Sequence, residues 1–405
     1  MNLTPRGCSN IGGELASCME ECRNRMMNFF SSWGYHPFNP AGFQLLEGLF
    51  MNLARGRRKR IIAVNTPFGE PCCMRADITV SALSYMALHH TPEEFPLRLC
   101  YAERVFSVPR PPKENLEDTQ VGAELLGWEG IGSGAEILVL LLGALDALGL
   151  TESVVVLGDA SIVPGLFANL PGNLADTFVE QLQEGSYFDY VKTVDGATGI
   201  SPRDKNVLKE LLSLKGSPDV LQSAKALFDD RTLLEPLESL VATLENMGYG
   251  GRIRIDLGFT RDLGYYDGPV FNVYATPTGG LLGGGGRYDG KLPEARFSCQ
   301  AAGFGLSLRE LALACVPRNR EKKVMIWGGT LSPDRVLALA SSVADGNDPD
   351  RRRFSIEISW KENEAEARAL ASNRGSTWWI HAGEGYAEEL SSGRRIGANE
   401  IGGEL

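Results

Sequence analysis

The sequence predicts an α+β protein in which a strand-rich core is interrupted by helices and followed by a small α/β unit. Two β-like runs support the core: residues 252–259 alternate in polarity up to position 257, and residues 269–276 carry apolar side chains. Residues 164–250 show helical patterns and few β-branched runs, which predicts a helical insertion. After a charged linker at 317–323, three strand-like segments alternate with helices, as in a parallel α/β unit.

The composition indicates a globular protein of more than one domain. The chain has 405 residues, of which 43% are hydrophobic and 22% charged, so two or three domains with their own cores are expected. Its net charge of −11 argues against a nucleic-acid-binding surface, which would be basic. The apolar run at 137–150 is too short to cross a bilayer, and the first residues do not resemble a signal peptide. The sequence therefore predicts a cytoplasmic protein without a membrane segment.

Cysteine and histidine spacings predict neither a metal site nor a disulfide framework. The eight cysteines lack paired CxxC spacing, and the four histidines lack the spacing of metal ligands. The cysteines are therefore interpreted mainly as small apolar core residues, and no cofactor is expected. One basic run, RGRRKR at 55–60, is interpreted as a solvated turn, with a phosphate contact as the less favoured alternative.

The elements of the core follow from local periodicity and from turn residues. An amphipathic helix is predicted at 13–33, and a Gly-rich strand leading into a helix at 300–313. The elements between them are a short strand at 35–40, a helix at 43–53, a hairpin at 61–74, a helix at 79–88, strands at 97–106 and 120–126, a buried helix at 134–148 and a strand at 153–158. In the α/β unit the strands are at 323–329, 354–360 and 376–383, and the tail at 384–405 is expected to be partly disordered.

Two groups of polar residues in the first half of the chain are candidates for a binding site. Asp77 lies near the N-cap position of the helix at 79–88, although helix capping alone would also explain it. Gln120 and Glu124 are four residues apart on a predicted strand. If the apolar residues between them face the core, both side chains point together across the sheet.

A third candidate group lies between the two β-like runs of the core. A tight turn there is predicted to expose Arg261, Tyr265 and Tyr266, with aromatic packing at a strand end as the alternative for the tyrosines. The glycine run at 283–286 follows. No Lys-Ser/Thr pair comes after it, so a P-loop is excluded and close packing of strands is favoured.

Several short motifs in one order are similar to histidyl-tRNA synthetase, a class II synthetase, over nearly the whole chain. They are RADIT at 75–79, QVGAE at 120–124, RDLGYYDGPVF at 261–271, GGGGRYDG at 283–290 and AAGFGLSL at 301–308. The resemblance implies a mostly antiparallel sheet flanked by helices, a helical insertion and a small α/β domain like the anticodon-binding one. The implied domains are a synthetase-like core at 1–163 and 251–317, the insertion at 164–250 and the α/β domain at 323–405.

The same resemblance implies a pocket for histidine. The implied roles are Asp77 for the ligand ammonium group, Thr79 beside it, Gln120 and Glu124 for the imidazole nitrogens, Arg261 for the carboxylate, and Tyr265 and Tyr266 as walls around the ring. The chain departs from the family at Asp262, where the family has Gly, and at Gly264, where it has an acidic residue. These two departures affect the part of the pocket nearest Arg261.

The residues expected to hold ATP are absent. A class II synthetase clamps ATP with two arginines, because phosphate charge must be neutralised as the adenylate forms. In the register of the resemblance these positions hold Ser107 and Glu310. Arg104, Arg110 or Arg309 could replace them only after a register shift. The resemblance thus implies an amino-acid pocket without the machinery for adenylation.

A histidyl-synthetase-like chain with this pattern resembles the regulatory subunits of ATP phosphoribosyltransferase, the first enzyme of histidine biosynthesis. The resemblance implies that the chain does no chemistry, assembles with the short-form catalytic subunit, self-associates as a dimer and carries feedback inhibition by L-histidine. One alternative is an active histidyl-tRNA synthetase, which histidine-dependent ATP–pyrophosphate exchange would establish. Another is an amino-acid-sensing synthetase paralogue, which would not co-purify with the transferase.

Overall fold

A computed structural model of the chain describes residues 3–47, 58–109, 115–167, 170, 172–259, 266–276, 278–289, 299–315, 322–345 and 354–401. The chain divides into two compact units, Met1–Val316 and Pro317–Leu405. Among the helices in these ranges, none combines the length and apolar character needed to cross a membrane.

The first unit contains ten helices and twelve strands within the described ranges. The helices are α1 Gly13–Ser32, α2 Ile78–His89, α3 Ile131–Ala147, α4 Ile162–Phe167, α5 Gly172–Glu184, α6 Tyr187–Gly196, α7 Pro202–Glu210, α8 Val220–Leu227, α9 Glu235–Asn246 and α10 Leu308–Ala314. The strands are β1 His36–Pro37, β2 Phe43–Leu45, β3 Ala63–Asn65, β4 Pro71–Met74, β5 Leu97–Phe106, β6 Glu117–Leu126, β7 Val154–Asp159, β8 Lys215–Gly216, β9 Ile253–Asp256, β10 Tyr266–Tyr274, β11 Leu281–Asp289 and β12 Gln300–Ser307.

Nine of these strands form one sheet, in the order β1-β5-β6-β12-β11-β10-β7-β9-β8. In the described part of this sheet, only the β1–β5 and β7–β9 neighbours are parallel, so the implied mostly antiparallel sheet is confirmed. The remaining three strands form a smaller sheet in the order β2-β4-β3. Strands β5 and β6 are the longest neighbours and pair over their whole length.

Strand β6 is buried on both faces from Val121 to Leu126. Val121, Ala123 and Leu125 belong to the main core, which also contains apolar residues of α1, α3 and α10. Glu124 and Leu126 lie on the opposite face, where Leu126 joins a second cluster with residues of α2. The predicted alternation is therefore confirmed, and the face that carries Glu124 is covered by α2.

The glycine run of β11 lets three strands approach closely. A Cβ atom on Gly285 would lie 2.0 Å from the carbonyl oxygen of Gly303, and one on Gly283 would lie 2.2 Å from that of Gly305. Side chains at these positions would therefore push β12 away from β11. The glycine run therefore allows close packing of the strands, which is the interpretation that the sequence favoured.

Three sequence predictions for the first unit are wrong in detail. Residues 43–45 form strand β2, because they pair with β4 in the small sheet, and the predicted helix at 43–53 is therefore wrong at its start. The helical stretch contains a short strand, β8, which pairs with β9 at the edge of the large sheet. Tyr266 is not exposed in a turn: it opens β10 and is half-buried. The predicted division of this unit into core and insertion stays a prediction.

The second unit is an α/β structure in which the three predicted strands are parallel. Its elements are β13 Lys322–Trp327, α11 Pro333–Asp345, β14 Phe354–Ser359, α12 Glu364–Asn373, β15 Trp378–His381, β16 Tyr386–Glu389 and β17 Arg395–Gly397. The strand order is β14-β13-β15-β16-β17, and β16 and β17 are antiparallel to their neighbours. The expected partial disorder of the tail is therefore wrong for the residues that form these two strands. Glu388 holds β16 through ion pairs with Arg368 at 3.2 Å and Arg395 at 3.0 Å.

Candidate ligand-binding site

The start of helix α2 fixes the first group of candidate residues. Asp77 is the N-cap: its Oδ1 accepts a hydrogen bond of 3.0 Å from the Val80 amide, and its side chain is buried. Gln44 of β2 braces the same turn, donating to the Asp77 carbonyl at 2.7 Å and accepting from the Ala76 amide at 3.0 Å. Asp77 therefore has a structural role in addition to any role in binding.

Glu124 of β6 lies at the centre of the candidate site and is fully buried. Its Oε1 accepts a hydrogen bond of 2.7 Å from the Thr79 hydroxyl, and its Oε2 accepts one of 2.7 Å from the Tyr288 hydroxyl. Gly303 of β12 leaves room for this side chain, since a Cβ atom there would lie 1.8 Å from Oε2. Three elements, α2, β11 and β12, therefore hold one carboxyl group in place.

Burial raises the pKa of Glu124 to about 8, and the nearby charge of Asp77 adds to this rise. The hydrogen bonds from Thr79 and Tyr288 act in the opposite direction. The carboxyl group is therefore mainly neutral at pH 7 when no ligand is bound. A ligand that carries a cationic or N–H group would favour the charged form.

The raised pKa of Glu124 predicts that the Glu124→Gln variant becomes more stable relative to the wild type as the pH rises. Between about pH 4.3, where an ordinary glutamate ionises, and pH 8, the unfolded chain releases this proton and the folded chain keeps it. The stability that Glu124 contributes at low pH is therefore lost as the pH rises, by about 1.4 kcal/mol per pH unit, whereas a glutamine does not titrate.

Urea unfolding of both proteins from pH 5 to pH 9 tests this prediction. The free-energy difference in favour of Glu124→Gln should grow up to about pH 8 and then level off. Glu117→Gln is the matched control for the substitution itself, because Glu117 lies on the same strand and is partly exposed beside Arg104. A difference that does not change with pH would contradict a buried neutral carboxyl group.

Three tyrosines surround Glu124. Tyr266 contacts residues of α2 and of β4, and its ring lies 6.3 Å from that of Tyr288 in an edge-to-face arrangement. Tyr101 of β5 is buried and donates a hydrogen bond of 3.1 Å to the Phe304 carbonyl. Burial and the charges of Glu124 and Asp77 raise the pKa of Tyr101 well above its usual value. The site is therefore aromatic around an acidic centre.

Gln120 lies four residues before Glu124 on β6, and its side chain is on the same face of the sheet. Strand β6 pairs with β12 so that Gln120 is opposite Ser307 and Glu124 is opposite Gly303. A Cβ atom on Gly305, between these two positions, would lie 3.1 Å from both the Gln120 Oε1 and the Tyr101 hydroxyl. Gln120 is thus half-buried at the edge of the group formed around Glu124.

The two positions expected to carry ATP arginines are occupied by a hydroxyl and a carboxylate. Ser107 follows β5, and its hydroxyl accepts a hydrogen bond of 3.5 Å from Arg60. Glu310 lies in the first turn of α10, where its amide donates to the Ser307 hydroxyl at 3.3 Å. The same hydroxyl donates to Asp118 at 2.9 Å, so a second carboxylate lies beside the first turn of α10. This arrangement repels a polyphosphate.

Arg104, one of the possible replacement arginines, does not fill these positions. Alternation along β5 places Arg104 on the face opposite to Tyr101, and its side chain is 66% exposed and paired with Glu117 at 3.4 Å. Arg110 lies outside the described residues. Arg60, at the end of the basic run, donates to the Val108 carbonyl at 2.8 Å and so braces the chain after β5.

Comparison with known proteins identifies the family. The sequence model described as histidyl-tRNA synthetase matches residues 7–311 of the chain. A relative from Bacillus pumilus, named ATP phosphoribosyltransferase regulatory subunit, is 30% identical over 335 residues, which cover 80% of this chain and 84% of the relative. One of the same name from Moorella thermoacetica is 28% identical over 340 residues, or 82% of this chain and 86% of that relative. The chain belongs to the ATP phosphoribosyltransferase regulatory subunit family.

Solved structures show that this family member shares the histidyl-tRNA synthetase fold. A Bacillus halodurans protein described as an ATP phosphoribosyltransferase regulatory subunit/histidyl-tRNA synthetase matches with a TM-score of 0.79 at 23% identity, covering 94% of this chain and 98% of that one. Histidyl-tRNA synthetase from Nostoc sp. PCC 7120 matches with a TM-score of 0.78 at 18% identity, covering 100% and 99%. The predicted fold class is therefore confirmed.

In this regulatory-subunit family member, the structure brings together Asp77, Thr79, Glu124 and Tyr266, with Gln120 at the edge of the group. Arg261 and Tyr265 lie outside the described residues, as do the departures at 262 and 264. Whether these residues bind a ligand stays a prediction. Within the described ranges, no group of three His, Cys, Asp or Glu side chains is arranged to hold a metal ion.

Sequence reasoning missed two residues that contact this group. Tyr288 lies within the GGGGRYDG motif, and Tyr101 lies in the middle of the predicted strand at 97–106. Side-chain alternation along each strand was the available signal for both residues. Tyr288 lies on the same face of β11 as Gly286, and Tyr101 of β5 is paired with Gly122 of β6. Neither position can be assigned to a site without knowledge of which strands are neighbours.

Proposed function

We propose that this chain is a non-catalytic regulatory subunit that assembles with the short-form catalytic subunit of ATP phosphoribosyltransferase and makes that enzyme respond to L-histidine. The observation that carries the proposal is a contrast between two places in the first unit. Glu124 is held in an enclosed polar site, whereas the positions of the ATP arginines hold Ser107 and Glu310. The names of the relatives support the same role and the same partner.

The chemistry of the site fits an amino acid with an imidazole side chain. Glu124 offers a carboxylate to an imidazole N–H, which would compensate for the burial of the charge. Tyr288, which contacts Glu124, and Tyr266, whose ring packs against that of Tyr288, offer aromatic surfaces. Asp77 lies close enough to Glu124 to raise its pKa, so it offers a second negative charge for an ammonium group. Arg261 is proposed to bind the ligand carboxylate, which would balance these charges.

The proposal includes loss of synthetase chemistry. Charge-assisted contacts to phosphate each contribute about 1.5–3 kcal/mol, and this chain replaces one of the expected arginines by Ser107 and the other by Glu310. Asp118 adds another carboxylate at the start of α10, where the Ser307 hydroxyl donates to it and accepts from the Glu310 amide. ATP bound at this place would therefore meet negative charge where the transferring phosphate needs positive charge.

Self-association and a cytoplasmic location are further parts of the proposal. A dimer is proposed from the family resemblance, and Phe43 and Leu45 offer an apolar face for it, since they are 56% and 55% exposed on β2. The eight cysteines are all thiols in the structure. This fits a reducing compartment such as the cytoplasm, where structural disulfides are rare.

Formation of phosphoribosyl-ATP by the short catalytic subunit tests the proposal. The catalytic subunit is assayed alone, with this chain, and with this chain and L-histidine. We expect this chain to raise the rate and L-histidine to lower it again, because feedback requires a ligand that binds one state of the complex better than another.

A chain that neither raises the rate nor confers inhibition would contradict the proposed partner. Histidine-dependent ATP–pyrophosphate exchange, measured on the same preparation, is expected to stay at background. Exchange above background would indicate an active synthetase and would mean that other arginines, such as Arg309, replace the missing contacts. Co-purification with the catalytic subunit distinguishes the proposal from an amino-acid-sensing paralogue that lacks this partner.

A further inference from the structure

Three cysteine thiols that are distant in sequence meet at one place in the first unit. Cys18 and Cys22 lie one turn apart on α1, and Cys315 directly follows α10. The Sγ atoms of Cys22 and Cys315 are 3.7 Å apart, although the residues are 293 positions apart in the chain. The Cys18 thiol donates to the Ala312 carbonyl at 3.5 Å, so it lies beside the same end of α10.

The helices that carry these thiols are anchored in the main core. Met26 and Phe30 of α1 and Leu308 and Leu311 of α10 are buried in the same hydrophobic cluster. The contact between the sulfur atoms is therefore set by two packed helices rather than by loops. A disulfide has an S–S distance of about 2.05 Å. The two sulfur atoms must therefore approach each other by about 1.6 Å from their present contact of 3.7 Å.

The two sulfur atoms differ in exposure, and this suits sequential thiol–disulfide exchange. Cys315 is half-buried and therefore partly accessible, whereas Cys22 is 2% exposed. The hydrogen bond to Cys315 and burial raise the pKa of the Cys22 thiol far above its usual value. An oxidant would therefore react first with Cys315, and Cys22 would act second from within the structure.

We propose that Cys22 and Cys315 form a reversible disulfide on exposure to a small-molecule disulfide such as oxidised glutathione. The Cys315 thiolate attacks one sulfur of the oxidant, forms a mixed disulfide and releases one glutathione thiolate. Cys22 then loses its proton, attacks the Cys315 sulfur and releases the second glutathione. Two protein thiols are oxidised to one disulfide, and one glutathione disulfide is reduced to two thiols.

The bond would connect α1 to Cys315, one residue before the first unit ends at Val316. It closes a loop that contains most of that unit, so the unfolded state loses freedom and the midpoint of thermal unfolding should rise on oxidation. Intracellular disulfides of this kind are usually transient and redox-sensing. The proposed bond therefore makes the stability of this unit respond to the thiol–disulfide balance.

Peptide mapping by mass spectrometry under non-reducing conditions tests the proposal on the full chain. The folded protein is equilibrated with mixtures of reduced and oxidised glutathione and then quenched by alkylation. We expect a peptide pair linked through Cys22 and Cys315, rising to the major species as the oxidised fraction increases and disappearing on reduction. The midpoint temperature should rise in parallel with the linked fraction.

Cys315→Ser should abolish both the linked pair and the temperature shift, and because this position is only half-buried the variant should fold. Cys299→Ser is the matched control: Cys299 is also half-buried but contacts Met86, and its replacement should leave the linkage intact. Glutathione that stays on Cys315 as a mixed disulfide would overturn the proposal. A linkage between Cys18 and Cys315, or one that forms only in urea, would overturn it too.

Discussion

Glu124→Gln is expected to weaken binding of L-histidine by about 2- to 30-fold near pH 7.3. The carboxyl group of Glu124 is buried and mainly neutral in the empty site, with a pKa of about 8. A bound imidazole can accept its proton, which creates an ion pair in a water-excluded site. Hydrogen bonds of this charge-assisted kind contribute about 1.5–3 kcal/mol, and glutamine provides only a neutral one.

The same proton transfer predicts a plateau in the pH dependence of binding. Between about pH 6.5, where a free imidazole is half-protonated, and pH 8, the separate partners hold one proton and so does the complex. Below this window the free partners hold two protons, and above it they hold none. The affinity of the wild-type protein should therefore decrease on both sides. The variant should show a smaller decrease above pH 8, because position 124 no longer titrates there and only the ammonium group of the ligand does.

Isothermal titration calorimetry of the isolated chain from pH 5.5 to pH 9.5 measures both effects. Glu117→Gln is again the matched control, since it removes a carboxylate from the same strand outside the buried group and should bind as the wild type does. Equal affinities of wild type and Glu124→Gln at pH 7.3 would contradict the proposed site. They would leave the partner assignment to the phosphoribosyl-ATP assay.

Gly285→Ala is expected to destabilise the first unit by more than about 3 kcal/mol, or to prevent its folding. Gly285 lies in the central strand β11, paired with Phe271 on one side and Phe304 on the other. An added Cβ atom would lie 2.0 Å from the Gly303 carbonyl oxygen and 2.8 Å from the Cα and Cβ atoms of Phe304. These are mainly backbone atoms of a paired strand, so they cannot move without disturbing the sheet.

Urea unfolding and the yield of soluble protein measure this effect. Gly134→Ala is the matched control, because Gly134 lies inside α3 and its added Cβ atom would have only an ordinary contact, 4.0 Å from Leu240. Alanine is favoured over glycine in a helix by about 0.5–1 kcal/mol, so this variant should be as stable as the wild type or more stable. A Gly285→Ala protein within about 1 kcal/mol of the wild type would refute the packing role of the glycine run.

Local periodicity was enough for most elements of the fold. The strand at 97–106 and the helix at 13–33 agree with β5 and α1 almost to the residue, because each buries a face large enough to leave a clear period. The helix predicted at 43–53 was wrong at residues 43–45, which form a strand. A strand of this length has too few residues to show alternation, and only its pairing with β4 decides its conformation. The tail shows the same effect, since β16 depends on pairing with β15.

The candidate site divides in the same way. Asp77 could be predicted from a capping position, and Gln120 and Glu124 from alternation on one strand, because these signals lie within a few residues. Thr79 was predicted only from the family resemblance. Nothing local indicated that Tyr288 would donate a hydrogen bond to Glu124 across β12. The thiol contact was missed for the same reason, since 293 positions separate Cys22 from Cys315.

The sequence by itself determined the element types, the motif order and the absence of arginine at positions 107 and 310. These are properties of single residues and of short periods along the chain. Tertiary structure alone decided that Glu124 is buried between Thr79 and Tyr288, that its pKa rises to about 8, and that Asp118 contacts Ser307 at the start of α10. Burial and electrostatics depend on distances through space, and only the pairing of distant strands brings these groups together.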